Sequence, residues 1–305
     1  MVSVIIPVYN SASSIASAVS SALAQTYKDL EIIVVDDGST DGTFKVLQEF
    51  GKQITLIRTE NRGVAAARNT AIAVAEGEFL AFLDADDTWI PSKLHLQLEL
   101  FQNPAVGLVY SDFVTESHDG HVRESYLATK PLAGEGAILE RYLRSRFLLP
   151  STVVLRRLCV TELGSFKEEL SLSEDVEFFA RVFTRWHAAL VPLALTTRRE
   201  GEHNLTADKK RTTDFTILAL ESIRKIPNLG KSALQALRQE LGLQYWWQGY
   251  ARYQEGDILP ARQSLIASLR NDMRRSKDCV PLYLLSLIPK GIRNQVQGRR
   301  NTDSG

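Results

Sequence analysis

The sequence predicts an α/β fold in which a mostly parallel sheet is flanked by helices, followed by a small all-helical C-terminal region. Up to about residue 113, short apolar runs rich in Val and Ile alternate with stretches of helical periodicity, the pattern of successive βαβ units. After about Asp214 the strand-like runs stop and helix-forming sequence dominates. At 305 residues the chain is long enough for one large α/β domain and a smaller helical one.

The first 113 residues carry the elements of the predicted sheet in a regular order. Each strand is expected from a short apolar, mainly β-branched run, and each helix from apolar residues at helical spacing. Serines that can cap a helix open the first one, and Pro91 suits the first turn of the last one. In chain order the predicted elements are strand Val2–Pro7, helix Ser13–Gln25, strand Glu31–Val35, helix 42–50, strand Ile54–Arg58, helix Gly63–Ala75, strand Phe79–Leu83, helix 91–101 and strand Val106–Phe113.

Beyond residue 113 the predicted elements are fewer. The pattern weakens from 120 to 150, where we expect a variable, partly helical segment. Ser151–Arg156 and Ala188–Thr197 have the pattern of strands, and Ser173–Arg185 that of a helix with acidic residues in its first turn. We place the end of the α/β domain at residue 212.

The helical region that follows is predicted over residues 213–294. Its segment 245–257 resembles a single tetratricopeptide repeat, so we expect one such helix–turn–helix unit over about 243–272. One repeat cannot bury its own apolar face, so this unit is expected to pack on neighbouring helices or on a protein partner. Residues 295–305 are expected to form a disordered tail.

The segment 279–300 combines an apolar stretch with the basic residues that follow it. This pairing is typical of segments that lie on an anionic membrane surface. It is equally typical of a buried terminal helix with a solvated basic end. Both interpretations stay open.

Composition and charge narrow the function classes. Lys and Arg together number 36, as do Asp and Glu, so no net charge favours nucleic acid or an acidic polymer as a partner. The two cysteines, Cys159 and Cys279, lie far apart without a metal-type spacing, which argues against a disulfide framework and fits a reducing compartment. We find no signal peptide and no apolar run long enough to span a bilayer. We therefore expect a cytoplasmic protein, with peripheral contact to the inner face of a membrane left open.

Three carboxylates, those of Asp84, Asp86 and Asp87, lie within four residues directly behind the predicted strand Phe79–Leu83. Such packed negative charge repels itself unless a cation or another partner neutralises it. Oxygen ligands suit a hard divalent cation such as Mg²⁺ or Mn²⁺, usually held together with a substrate diphosphate. A calcium site or a simple turn is the alternative, but the buried strand in front of the cluster favours a functional site.

A second acidic turn, residues 36–41, follows the predicted strand Glu31–Val35. Asp37 is expected to point toward a ligand such as a base imide or a ribose hydroxyl, whereas Ser39 and Asp41 suit turn and helix-capping roles. Both acidic turns therefore lie at the carboxyl ends of strands, where open α/β sheets bind their ligands.

Three further segments carry residues suited to chemistry. The helix start at 61–69 could approach a phosphate, with Arg68 adding charge, or could serve only helix packing. The pair 174–175 could supply a general base, or could merely complement the helix macrodipole. A later loop holds Arg199, which suits a phosphate, and His203, which could ligate a metal or simply lie on the surface.

Taken together and in this order, these segments resemble the inverting glycosyltransferases of family 2, which have the Rossmann-like GT-A fold. The resemblance covers roughly residues 1–210. It implies a nucleotide-binding half over about 1–113 and an acceptor half over about 114–212. Lys167 stands where the family often has Asp. The matching stretches are 4–10, 35–41, 61–69, 83–87 and 166–175.

The resemblance also implies a role for each matching residue. Asp175 corresponds to the catalytic base. Asp86 and Asp87 correspond to the ligands of a Mn²⁺ or Mg²⁺ ion, with His203 as a further metal ligand and Arg199 on the phosphates. The residues implied to bind the nucleotide are Pro7, Tyr9, Asp37, Arg68, Asp84 and Asp86.

The activity implied is the transfer of a sugar from a nucleoside-diphosphate sugar, with UDP favoured, to the hydroxyl of a sugar or a lipid-linked acceptor. In a single in-line displacement Asp175 would take the acceptor proton as the oxygen attacks the anomeric carbon. Charge on the departing diphosphate would be offset by the metal and by Arg68 or Arg199. The expected setting is polysaccharide or glycolipid assembly.

Two other classes of function are considered. A nucleotidyltransferase also places carboxylates and Mg²⁺ at strand ends, but it needs a Gly-rich, basic phosphate loop near the first strand. Residues 9–13 contain neither glycine nor lysine, which disfavours this class. A non-catalytic interaction protein built around the tetratricopeptide-like segment would need only that segment, and here only one repeat is visible beside an intact set of acidic turns.

Overall fold

The computed structural model describes residues 1–117, 120–123, 125–127, 134–170, 172–200 and 208–287. The chain divides into two compact units, Met1–Ala207 and Asp208–Gly305. The predicted domain boundary at residue 212 falls inside a helix, Lys209–Arg224, that belongs to the second unit.

The described part of the first unit contains eight strands in one sheet. They are β1 (Val2–Val8), β2 (Leu30–Asp36), β3 (Thr55–Arg58), β4 (Phe79–Phe82), β5 (Thr88–Trp89), β6 (Val106–Glu116), β7 (Val153–Arg156) and β8 (His187–Arg199). Their order across the sheet is β3-β2-β1-β4-β7-β6-β8-β5. Strands β3, β2, β1 and β4 are parallel neighbours, whereas β7 lies antiparallel to both β4 and β6. The predicted α/β fold is confirmed, with a sheet that is mixed rather than mostly parallel beyond β4.

Helices connect and flank these strands. The α-helices of the first unit are α1 (Ile15–Leu23), α2 (Thr43–Gln48), α3 (Val64–Val74), α4 (Lys93–Leu98), α5 (Leu139–Ser145), α6 (Arg157–Leu163) and α7 (Glu174–Phe183). Short 3₁₀ turns lie at Gly51–Gln53, Glu99–Gln102 and Pro150–Thr152. The last of these turns replaces the start of the predicted strand Ser151–Arg156, so that β7 begins only at Val153.

The central strands form because they are apolar on both faces. All of β1 and the last five residues of β2 are buried. On one face of the sheet Val4, Ile6 and Val34 join Ala18 of α1 and Leu47 of α2 in one apolar cluster. Helix α3 packs on β1 and β2 as well. Burial on both faces is the usual situation of parallel strands and explains their near-continuous Val and Ile content.

One edge of the sheet collects the loops that matter for function. Strand β1 lies between β2 and β4 and is parallel to both, so the carboxyl ends of these three strands lie side by side. Tyr9 follows β1, Asp37 follows β2, and Asp84 follows β4. After β1 the chain adds β2 and β3 on one side of it and then crosses to place β4 on its other side, which makes this edge a topological switch point, the place where open α/β sheets bind ligands.

The far side of the sheet contains a pairing that the sequence did not predict. Strand β8 runs past Pro192, and its pairing with β6 shifts register between Ser111 and Asp112, as expected where a proline offers no N–H group. The two-residue strand β5 pairs antiparallel with β8, Thr88 opposite Thr197. Continued by one residue, this register sets Asp87 opposite Arg198.

The described part of the second unit is helical, as predicted. It contains α8 (Lys209–Arg224), α9 (Lys231–Glu255), α10 (Ile258–Asn271) and α11 (Ser276–Leu287), with a 3₁₀ turn at Met273–Arg275. Gly256 ends α9 with a φ of 88°, a left-handed C-cap that glycine adopts at little cost. The segment 243–272 therefore forms a helix–turn–helix. The predicted disordered tail, 295–305, lies outside the described residues.

Close packing joins the two helices of this pair. A Cβ atom on Gly249 would lie 3.0 Å from Cγ of Leu265 and 3.2 Å from the carbonyl oxygen of Ala261. Ser268 Oγ donates a hydrogen bond to the Gly242 carbonyl at 2.6 Å. Small residues on the facing surfaces thus let the backbones of α9 and α10 approach each other.

Within the described ranges, we find no helix that combines the length and the apolar character required to span a bilayer.

Candidate active site

The carboxylate of Asp37 is buried, with 3% of the residue exposed, and it organises the turn that begins α3. Its Oδ1 accepts from the backbone N–H of Arg62 at 3.0 Å and from the Thr59 hydroxyl at 3.3 Å, and its Oδ2 accepts from the N–H of Gly63 at 2.7 Å. Gly63 has a φ of 93°, which favours glycine at this position. A carboxylate offers about four acceptor positions, so Asp37 retains capacity for a ligand donor.

The rest of the first acidic turn has structural bonds. Asp41 accepts from the Thr43 N–H at 2.9 Å and from the Ala12 N–H at 3.2 Å, tying the start of α2 to the segment after β1. Ser39 Oγ accepts from the Asn10 N–H at 2.9 Å. These bonds are of the kind expected from the sequence for Ser39 and Asp41.

Two residues predicted to bind the nucleotide differ in accessibility. Pro7 is buried within β1. Tyr9 follows β1 and is 48% exposed, so its ring is available at the sheet edge. An exposed aromatic ring beside a polar turn is suited to stacking on a planar ligand.

The second acidic turn is held by a serine from the 3₁₀ turn that precedes β7. Ser151 Oγ accepts from the backbone N–H of Asp84 at 3.0 Å and donates to Asp87 Oδ2 at 2.6 Å. Asp87 is only 2% exposed, whereas Asp84 and Asp86 are partly exposed. Burial raises the pKa of Asp86, and Asp84 raises it further. Burial, with the charges of Asp84 and Asp86, raises the pKa of Asp87 well above its ordinary value.

The chemistry of this turn fits a hard divalent cation. Oδ1 of Asp87 is buried and has no hydrogen-bond partner among the described residues, and burial together with the neighbouring carboxylates raises the pKa values of Asp86 and Asp87. The described ranges contain no group of three His, Cys, Asp or Glu side chains placed to hold a metal. The cation would therefore need phosphate or water oxygens to complete its shell, as is usual for Mg²⁺. The predicted ligand His203 lies outside the described residues.

A buried arginine links this turn to α7. Arg68, on α3, is 3% exposed, and its Nη2 donates to Asp84 Oδ1 at 2.8 Å while its Nη1 donates to Glu174 Oε1 at 2.6 Å. Its guanidinium lies 5.4 Å from the centre of the Phe166 ring. Burial acts to lower the pKa of Arg68, but Asp84, Glu174 and Asp175 outweigh it, so the group stays protonated. The arginine predicted to contact the nucleotide is thus engaged by two protein carboxylates.

Asp175 lies beside this ion pair in the first turn of α7. Its Oδ1 accepts from the N–H of Val176 at 2.8 Å, and the side chain is partly exposed. Burial, followed by the charge of Glu174, raises the pKa of Asp175 to about 7, and Arg68 opposes the rise. A carboxylate with a pKa near neutrality has the proton affinity suited to a general base.

The loop before α7 is fastened to α3. Asn69 Nδ2 donates to the Phe166 carbonyl at 2.9 Å, and its Oδ1 accepts from the Phe166 N–H at 3.0 Å. Arg62 donates to Glu168 at 2.6 Å. Lys167, where the family often has Asp, makes a 2.9 Å ion pair with the buried carboxylate of Glu177. These contacts explain how the segments 61–69 and 166–175 reach a common site.

Two adjacent arginines at the end of β8 have different surroundings. Arg199, predicted to contact phosphate, donates to Glu116 at 3.1 Å, the residue directly opposite it on the neighbouring strand β6. Arg198 instead lies near the acidic turn, where its charge opposes, without cancelling, the rise in the pKa values of Asp86 and Asp87. Alternation along a strand puts neighbouring side chains on opposite faces, which accounts for the difference.

Three contributors to the site were missed in the sequence. Ser151 carried no signal, because nothing in its own segment indicates a carboxylate partner 64 residues away. Glu174 was grouped with Asp175 but its bond to Arg68 was not predicted. Arg198 could have been distinguished from Arg199 by alternation, had the pairing of β5 with β8 been known.

The fold and this arrangement define a member of a known enzyme family. Residues 3–158, about half of the chain, match the family model described as Glycosyl transferase family 2. The chain therefore belongs to glycosyltransferase family 2, as the resemblance of its motifs implied.

Curated relatives match parts of the chain. An Escherichia coli protein named UDP-Glc:alpha-D-GlcNAc-diphosphoundecaprenol beta-1,3-glucosyltransferase WfgD is 43% identical over 115 residues, covering 37% of this chain and 46% of that protein. WfaP, an Escherichia coli protein named for the same glucosyltransferase activity, is 36% identical over 167 residues, covering 54% of this chain and 64% of that protein. The match thus spans about half to two thirds of the length of these relatives.

Solved structures match over nearly the whole chain. S. aureus TarS 1–349 in complex with UDP-GlcNAc superposes with a TM-score of 0.71 at 20% identity, covering 97% of this chain and 92% of that one. The mannosyltransferase PcManGT from Pyrobaculum calidifontis, in complex with GDP-Man and Mn²⁺, gives a TM-score of 0.63 at 21% identity, covering 97% and 83%. At these identities the likeness concerns the fold, and it confirms the predicted GT-A fold.

Proposed function

We propose that the protein is an inverting glycosyltransferase that moves a sugar from a metal-bound nucleoside-diphosphate sugar to an acceptor hydroxyl. The observation that carries this proposal is the pair of hydrogen bonds that Arg68 donates, one to Asp84 and one to Glu174. This guanidinium places the Asp84–Asp87 turn, suited to a diphosphate and a cation, next to Asp175, suited to proton removal. Membership of glycosyltransferase family 2 supports the same assignment.

The donor nucleotide is assigned to the edge formed by β1, β2 and β4. The exposed ring of Tyr9 would stack on the base, Asp37 would accept from the base imide with its remaining lone pairs, and Asp84 would accept from a ribose hydroxyl. Pro7 is buried, so we assign it a role in shaping the end of β1 rather than a direct contact with the nucleotide. A uridine nucleotide is favoured because the Escherichia coli relatives are named for UDP-Glc and the TarS structure contains UDP-GlcNAc.

The diphosphate is assigned to the corner between β4 and β8. Asp86, which is more accessible than Asp87, would bind Mn²⁺ or Mg²⁺, and the buried Asp87 would contribute its negative charge to the same ion. Bound there, the ion would neutralise charge on the leaving diphosphate. Arg198, rather than the predicted Arg199, would reach the phosphate oxygens, because Arg199 is paired with Glu116.

Asp175 is assigned the role of base. As the acceptor oxygen attacks the anomeric carbon, its proton passes to the Asp175 carboxylate and the bond from the sugar to the diphosphate oxygen breaks. A single displacement of this kind inverts the anomeric configuration and needs no covalent intermediate. Since Asp175 must be ionised to accept the proton, activity should fall as the pH falls through about 7.

The proposed acceptor is a sugar or a lipid-linked sugar, used in polysaccharide or glycolipid assembly. The two Escherichia coli relatives are named for an acceptor linked to diphosphoundecaprenol. Helix α11 carries exposed Val280, Leu284 and Leu287 along one stripe, which would suit peripheral contact with the cytoplasmic face of a membrane.

Asp175→Asn tests the function. We expect the variant to lose release of UDP from UDP-glucose while binding UDP with Mn²⁺ as the wild type does, because the amide is isosteric but accepts no proton. Calorimetry with UDP, with and without Mn²⁺, measures binding independently of turnover. A wild-type protein that shows no metal-dependent binding of UDP would contradict the proposal and favour a non-catalytic interaction protein. Release of pyrophosphate from UTP and a sugar phosphate would instead indicate a nucleotidyltransferase.

A further inference from the structure

We propose that Arg68 and Glu174 form a buried positioning pair that holds Asp175 in register with the donor-binding turn and balances its charge. This inference rests on the proposed function, because it concerns the group that takes the acceptor proton. It reassigns Arg68 from the nucleotide to the protein's own carboxylates, and it gives Glu174 a role distinct from that of its neighbour.

The geometry of the pair carries the positioning role. The two hydrogen bonds of Arg68 join residues that are 16 and 106 positions away in sequence, Asp84 after β4 and Glu174 at the start of α7. Arg68 and Glu174 are almost completely buried, and the face of Phe166 lies beside the guanidinium. Charge-assisted hydrogen bonds are strong and directional when water is excluded. Any shift of α7 relative to the β4 end would therefore break one of the two bonds.

The charge of the cluster carries the second role. Among the described residues, the titratable groups that interact with Asp175 are Glu174 from its own helix, Arg68 from α3, Asp84 from the end of β4, and Tyr142 from α5. One guanidinium thus stands against three carboxylates and cannot neutralise them all. Glu174 favours the protonated form of Asp175, and Arg68 favours the ionised form.

Two substitutions should therefore act in opposite directions. Glu174→Gln keeps the shape but removes a like charge, so Asp175 should ionise at lower pH. Arg68→Gln removes the cation, so Asp175 should ionise only at higher pH. A residue that served folding alone would lower activity without moving the pH dependence in a direction set by its charge.

The experiment is the pH dependence of kcat/KM for release of UDP from UDP-glucose with Mn²⁺, using the full chain. We expect the acidic limb to move down by about one unit in Glu174→Gln and up by about one unit in Arg68→Gln, the usual size of a single neighbouring charge. Arg68→Lys keeps the positive charge but cannot donate to Asp84 and Glu174 at the same time. Its kcat should therefore fall at least about tenfold, while the acidic limb of the pH profile stays near its wild-type position. Arg185→Gln, which removes an exposed ion pair with Glu162, is the control and should change neither.

The outcomes separate this inference from the proposed function. If Asp175→Asn abolishes turnover, the pH profiles of wild type and Glu174→Gln decide the inference, whether or not Arg68→Gln folds. Acidic limbs that coincide in these two profiles would overturn it. Wild-type protein that neither binds nor releases UDP would overturn the proposed function and the inference with it. Opposite shifts, with UDP affinity by calorimetry within about threefold of wild type, would support the positioning pair.

Discussion

The assignment of the diphosphate to Arg198 rather than Arg199 can be tested with two substitutions at adjacent positions. Arg198→Ala should weaken binding of UDP because a hydrogen bond from a charged group to phosphate contributes about 1.5–3 kcal/mol. At about 1.4 kcal/mol per tenfold change, this corresponds to a loss of about 10- to 150-fold in affinity. The same substitution removes the cation beside Asp86 and Asp87, which should weaken proton release from both.

Arg199→Ala is the matched control, because it removes the same charge from the next residue of the same strand. Its partner Glu116 lies 3.1 Å away, and both side chains are substantially exposed, so the pair contributes about 0–1 kcal/mol to stability. We expect its affinity for UDP to stay within about threefold of wild type.

Calorimetry with UDP and Mn²⁺ measures both variants, and uridine provides a second control. Uridine lacks the diphosphate, so Arg198→Ala should bind it as the wild type does. The reasoning would be refuted if Arg199→Ala lost as much UDP affinity as Arg198→Ala. It would be refuted equally if uridine binding fell together with UDP binding.

Three further predictions concern the turn and the helical unit. The Asp87 carboxyl has a higher pKa in the folded than in the unfolded protein, so the free energy of unfolding should fall as the pH rises from the ordinary pKa of Asp87 toward the raised one. Asp87→Asn should flatten this pH dependence and raise Tm at neutral pH, by about 2–4 °C for each kcal/mol of stability gained. Calorimetry without metal measures both effects. Gly249→Val should lower the free energy of unfolding of the helical unit by about 1–3 kcal/mol in a denaturant titration, since its Cβ would crowd Leu265, and an unchanged midpoint would contradict the packing. Leu284→Asp should reduce sedimentation with phosphatidylglycerol vesicles at least about tenfold, whereas equal sedimentation would remove α11 from membrane contact.

The parts of the fold that the sequence predicted share one physical property. Strands β1, β2 and β4 are largely buried on both faces, so their residues are mostly apolar and polar residues follow soon after each strand ends. The acidic turns could be located at the same sheet edge for that reason. The change to helices was predicted at about Asp214 because helix-forming sequence dominates from there, and the structure begins the second unit at Asp208.

The parts that were missed depend on pairing between distant segments. Strand β5 has only two residues, too few for any periodicity, and it exists because β8 offers an edge. The choice between Arg198 and Arg199 depends on the register of that pairing. The bond of Arg68 to Glu174 joins residues 106 positions apart, and either side chain alone is compatible with an ordinary helix surface.

Burial also separates residues that looked equivalent in the sequence. Asp86 and Asp87 are adjacent and both were predicted to bind the metal, yet Asp87 is buried against Ser151 while Asp86 is partly exposed. Asp36 and Asp37 differ similarly in partners, since Asp36 accepts from the N–H of Ser39 and Asp37 from those of Arg62 and Gly63. A run of acidic residues predicts a site, but tertiary contacts assign the individual roles.

Single displacement at the anomeric carbon is the central claim, and the configuration of the first product tests it most directly. Proton NMR during early turnover of UDP-α-D-glucose with water as acceptor distinguishes the two anomers before they interconvert. The account predicts that β-glucose appears first and that Asp175→Asn releases neither anomer. Initial release of α-glucose would contradict it, because retention requires two displacements or a different path.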